Sequence, residues 1–107
     1  MFNDGMSAFP DKANFSSMLR TTLSRKQLAD LYGALGWQVR KCGWNEYEVR
    51  GPRAELVIEA ESPVLMHGIV AEGVNVEELL APLKAAGVPY QAEYYGPDRE
   101  LLQAWTG

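Results

Sequence analysis

Two stretches of this chain carry the same helix punctuation at an offset of 51 positions. Ser24 and Asn75 are both N-cap residue types, whose side-chain oxygen accepts from the unpaired N–H groups of a first helical turn. Leu23 and Val74 precede them as staple residues, and Gln27 and Glu78 follow three positions on, where a capping-box partner belongs. Leu28, Leu31, Tyr32 and Leu35 recur with the helical period, as do Val76, Leu79, Leu80 and Leu83. Gly36 and Gly87 then stop the two segments, because glycine takes φ > 0 without a Cβ clash. Pro82 falls inside the second segment, where it costs about 3 kcal/mol or kinks the helix. Both ends of that helix are so well marked that it is expected to continue through the proline.

Strand patterns flank both helices. Met18-Leu19 falls on Ile69-Val70 under the same offset, so a strand is expected before each helix, and each glycine is followed by another. Residues 37–42, 46–50, 54–60, 64–71 and 88–95 read as strands, separated by the turn signals Gly43–Asn45, Gly51-Pro52 and Ser62-Pro63. Within 54–60, Ala54, Leu56, Ile58 and Ala60 share one face, opposite Glu55, Val57 and Glu59. The nearly continuous apolar run of 64–71 predicts a strand covered on both faces. After Gly96-Pro97, Asp98 is expected to cap a short C-terminal helix carrying Leu101, Leu102 and Trp105. The expected class is α+β: an antiparallel sheet of about five to six strands with two main helices on one face, built as two β-α-β units similar to split β-α-β or TBP-like folds. Residues 1–15 lack periodicity and are expected to form a flexible arm before a single domain of 16–107.

Composition sets the outer limits. With 107 residues, 47% apolar and 22% charged, the chain can bury one core without staples. Cys42 is the single cysteine, so no intrachain disulfide forms. The first residues lack a basic region and a long apolar run, and no stretch approaches the ~18 apolar residues of a membrane span, so a cytoplasmic protein is expected. The net charge of −4 is uneven: residues 1–53 carry eight basic and five acidic side chains, residues 54–107 two and nine.

Chemistry-bearing residues are sparse. His67, the only histidine, needs a partner, and Glu59 or Glu61 supplies one if the preceding strand forms a hairpin with it. Cys42 with His67 is the one conceivable nucleophile pair, in a context matching no nucleophile motif; a lone cysteine at a strand end more commonly acts as a small buried hydrophobe. One His and one Cys do not close a zinc site, and Glu55, Glu59 and Glu61 read as a solvated sheet face, so no metal is expected. No phosphate-binding glycine motif occurs, and no cofactor is expected. Arg40, Lys41, Arg50 and Arg53 with Trp37, Trp44 and Tyr47 could form a small base-stacking surface. The acidic balance and the missing RNA-recognition pattern argue against nucleic acid.

A protein partner fits better. Val57, Tyr95, Leu101, Leu102 and Trp105 are the candidate contact residues, since exposed aromatic and apolar side chains anchor interfaces. The expectation is a non-catalytic interaction or regulatory module, homodimeric in its simplest form. The alternative is a small-molecule-binding domain or minor enzyme using His67 and a glutamate in a cleft between sheet and helices.

Overall fold

The computed structural model describes residues 13–44, 46–59, 63–71, 73–96 and 98–107. The chain order is β1 (Phe15–Leu19), α1 (Arg25–Gly33), β2 (Gln38–Lys41), β3 (Tyr47–Arg50), β4 (Ala54–Glu59), β5 (Val64–Val70), α2 (Val76–Ala85), β6 (Tyr90–Tyr95) and β7 (Leu101–Thr106). All seven strands join one antiparallel sheet in the order β2-β3-β4-β5-β1-β6-β7. The molecule is α+β, with two helices as the repeated caps predict.

Both N-caps form, but the reciprocal capping box forms at Ser24 and Gln27 only, not at Asn75 and Glu78. Ser24 Oγ accepts from the Gln27 N–H at 3.0 Å while Gln27 Oε1 accepts from the Ser24 N–H at 2.8 Å. Asn75 Oδ1 accepts from the Glu77 N–H at 3.1 Å. Gly36 and Gly87 have φ of 94° and 74°, the left-handed turn each helix exit requires. α2 runs through Pro82 because Val76, Leu79, Leu80 and Leu83 are all buried. Four such side chains contribute about 1.5–3 kcal/mol each, which outweighs a proline penalty near 3.

Strand alternation sends Phe15, Leu19, Leu56, Ile58, Met66 and Val70 into one core with Leu28, Tyr32, Leu80 and Leu83 of the helices. Tyr32 joins the two helices: its buried O–H donates to the Leu79 carbonyl at 2.6 Å, and its ring lies 5.1 Å from that of Trp37. Burial pushes the Tyr32 phenol well above its ordinary value of 10.0. The folded state then holds a proton that the unfolded chain releases above that value, so stability is intact below pH 10.0 and falls as pH rises beyond it. Alkaline unfolding followed by circular dichroism should show this loss, and Tyr32→Phe should flatten it; an unchanged alkaline slope in the variant would place the loss elsewhere.

Several expectations are corrected. The C-terminal helix is a strand: Leu101–Thr106 forms β7 and pairs back on β6. Arg99 at φ 67° reverses the chain, with Gly96 N–H donating to the Glu100 carbonyl at 2.9 Å. A helix this short is marginal, whereas the hairpin gives every other residue a ladder bond and lets Trp105 pack on the core. Among the described residues the sheet has seven strands rather than about five to six. The 51-position offset carries β1 onto β5, α1 onto α2 and β2 onto β6, yet the slot beside β5 that a symmetric repeat would give to β2 is filled by β4. β4 reaches that slot first because it precedes β5 directly and forms a hairpin with it. β5 is covered on one face only, with Leu65, His67 and Ile69 part-exposed on the other. Leu35 is not core; it is 63% exposed beyond the end of α1. Residues 1–12 of the expected arm lie outside the described residues, and Phe15 already starts β1.

Candidate functional site

Among the described residues no element covers the sheet face away from the helices, and register places its residues in rows. One row crosses all seven strands as Arg40, Glu48, Val57, His67, Ser16, Glu93 and Ala104. The next runs Glu59, Leu65, Met18, Gln91 and Thr106. Val57, Leu65, Met18 and Ile69 form a part-buried apolar stripe, bordered by Arg40, Glu48, Arg50 and Glu55 on one side and Gln91 and Glu93 on the other. A shallow depression of about 410 Å³ lies on this face beside β7, lined by Ser16, Met18, Leu65, Gln91, Glu93, Ala104 and Thr106 among others.

His67 and Glu59 do meet. β4 and β5 form the hairpin that pairing required, and His67 Nε2 lies 3.1 Å from Glu59 Oε2. Both side chains are about one-third exposed, and they sit on the open face rather than in a cleft under the helices. Glu61 lies outside the described residues. Cys42 is exposed and unpaired, not buried. It leaves β2 three strands away from β5, about 14 Å at ordinary strand spacing, so the fold does not bring it to His67. Among the described residues no group of His, Cys, Asp or Glu is arranged to hold a metal. Glu55 and Glu59 are separately engaged, by Arg50 at 3.6 Å and by His67.

The basic and aromatic set is also divided. Trp37 and Tyr47 pack against the core, while Trp44 stands 88% exposed at the β2–β3 turn. Arg40 and Arg50 both pair with Glu48, at 3.1 and 3.8 Å. Among the described residues no stacked aromatic platform forms beside these cations. Among the described residues no helix is long and apolar enough to cross a membrane.

Four of the five candidate contact residues lie on β6 and β7. Tyr95 shares the open face with Glu93 and donates its O–H to Glu93 Oε1 at 2.6 Å, which raises the phenol pKa. Trp105 is part-buried against the core. Leu101 and Leu102 remain 53% and 54% exposed. Val57 is on the open face as expected, but four strands away from β7.

Backbone polarity distinguishes β7 further. Tyr90 and Gly107 exchange both backbone hydrogen bonds, at 3.0 and 2.9 Å. Antiparallel ladders alternate, so Trp105 and Gln103 also face β6, and the N–H and C=O of Ala104 and Thr106 point outward from the sheet. The sequence reading missed these two residues. The signal was present: the offset that carries β2 onto β6 also brings the end of β3 to the start of β7, a second hairpin after the second helix.

The two sheet edges differ. β2 is four residues long and carries Arg40 and Lys41, the charged guard typical of a protected edge. β7 is six residues, Leu-Leu-Gln-Ala-Trp-Thr, without a charge. A bulge between Tyr94 and Tyr95 interrupts its ladder at the Leu101 end only. Comparison with family models, with curated proteins and with solved structures gave no match to this chain.

Proposed function

We propose that this protein is a non-catalytic interaction module that binds a protein partner by adding a strand to the β7 edge. The observation that carries this reading is an uncharged edge strand whose outward N–H and C=O groups, at Ala104 and Thr106, have no partner strand among the described residues, flanked by two leucines more than half exposed. Strand addition draws affinity from main-chain hydrogen bonds and specificity from alternate side chains, and β7 offers both. The exposed thiol of Cys42 favours a reducing, cytoplasmic setting, where such thiols stay unpaired.

Ala104→Pro tests the reading. It deletes an N–H that the β6 ladder does not use, so the fold should survive while an added strand loses a central bond. Crosslinked capture from cell extract should lose its specific partners in the variant; identical capture by both proteins would overturn the proposal.

A second reading rests on the His67–Glu59 pair and the neighbouring depression, which together could seat a small polar ligand. It predicts that His67→Ala abolishes ligand binding with little change in melting temperature. A large loss of stability would instead make the pair structural.

A further inference from the structure

We infer that the strand added to β7 is β7 of a second copy, running antiparallel about a two-fold axis at Ala104. This rests on the strand-addition reading and names its partner.

Geometry selects this register. A two-fold axis can fall on a hydrogen-bonded or a non-hydrogen-bonded pair; centring on Ala104, whose backbone groups point outward, makes the axial pair hydrogen-bonded and keeps it clear of the bulge at the Leu101 end. Centring there overlaps residues 102–106 of the two copies. Ala104 exchanges hydrogen bonds with its counterpart, and Thr106 comes opposite Leu102 of the second copy, where the bulge begins. Only methyl groups meet on the axis at the open face, so nothing bulky holds the backbones apart. On the helix face Gln103 comes opposite the part-exposed Trp105 of the second copy and covers it.

Charge permits it as well. No charged residue lies within Leu101–Thr106, so self-pairing sets no like charges directly opposite. The nearest acidic group in the axial row is Glu93, one strand inward. Its counterpart stands three strand spacings away, about 14 Å, beyond the ~8 Å screening length at physiological salt. Pairing β7 with β2 of another copy would instead set β7 against the guarded edge carrying Arg40 and Lys41, and would propagate without closing. The self-pairing closes at two copies.

Light scattering behind size exclusion, over rising concentration, tests this on the full chain. The expected mass moves from 11.9 kDa toward twice that value. Ala104→Pro removes one N–H from each copy, and Ala104→Lys places two ammonium groups at the axis. Each should weaken the dimer roughly tenfold or more while keeping the melting temperature that the wild type shows at concentrations where it is monomeric. Dimers in both variants as stable as wild type would overturn the inference, as would a wild-type monomer throughout. A monomer whose other partners are still lost with Ala104→Pro would overturn self-pairing and leave strand addition standing. A monomer with unchanged capture would overturn both.

Discussion

Gly68→Ala is expected to remove the stable folded state. Gly68 lies in β5, opposite Leu56 of β4. A Cβ built there would overlap the Glu55 carbonyl oxygen and come within 2.9 Å of Leu56 Cα and 3.0 Å of the Glu55 carbonyl carbon. All three are backbone atoms, so no side chain can rotate away, and relief requires β4 and β5 to part. Ordinary overpacking costs about 1–3 kcal/mol, and a clash with a paired backbone exceeds that range. Against a typical total stability of about 5–15 kcal/mol, a loss above ~4 removes most of the stability of a protein at the lower end of that range. Gly36 is the contrast: nothing lies within 4 Å of a Cβ there, and only its φ of 94° opposes substitution. Gly36→Ala should therefore cost about 1 kcal/mol. Urea titrations of both variants decide the point. A Gly68→Ala midpoint close to that of Gly36→Ala would mean that the β4 backbone yields freely. The same hairpin holds Glu59 against His67, so that contact should be lost with it.

Asn14→Ala is expected to cost about 2–4 kcal/mol, from two buried hydrogen-bonding groups left unpaired. Asn14 is 9% exposed and stands immediately before β1. Its side chain donates Nδ2 to the Val70 carbonyl at 2.9 Å and accepts the Val70 N–H on Oδ1 at 2.8 Å. Its backbone N–H donates to the Gly68 carbonyl at 3.0 Å, and its carbonyl accepts from the Tyr95 N–H at 2.9 Å. One residue thus fastens the start of β1 between β5 and β6, and its amide stands in for the ladder partner that Val70 would otherwise lack. Asn14→Asp keeps the acceptor but turns a carboxylate oxygen toward the Val70 carbonyl, so it should recover only part of the loss. Denaturant titration gives the energy, and amide exchange at Val70 gives the place. A change below about 1 kcal/mol with Val70 still protected would show that water replaces the side chain without penalty.

Local chemistry was legible in the sequence. The caps at Ser24 and Asn75, the glycine exits at Gly36 and Gly87, and the inner face of α2 follow from side-chain shape and hydrogen-bonding capacity, which act within a few residues. The alternation of β4 was equally plain, with Val57 outward and Leu56 inward. The His67–Glu59 contact followed once a β4–β5 hairpin was assumed, because hairpin pairing is itself local. Asn14 gave no such signal, since both partners of its amide lie on Val70, far along the chain.

The sequence by itself determined the helices and their caps, most of the strands, and which face of each carries the apolar side chains, because these depend on neighbours within a turn or an alternation. Tertiary structure alone decided three other matters. It gave β4 rather than β2 the place beside β5, since a hairpin partner arrives at lower entropic cost than a strand returning across a helix. It made Leu101–Thr106 a strand, since Leu101, Leu102 and Trp105 suit either a helical turn or an edge, and the open side of β6 offered a ladder that an isolated turn lacks. It left that strand unguarded, because an edge exists only once the order of the whole sheet is fixed.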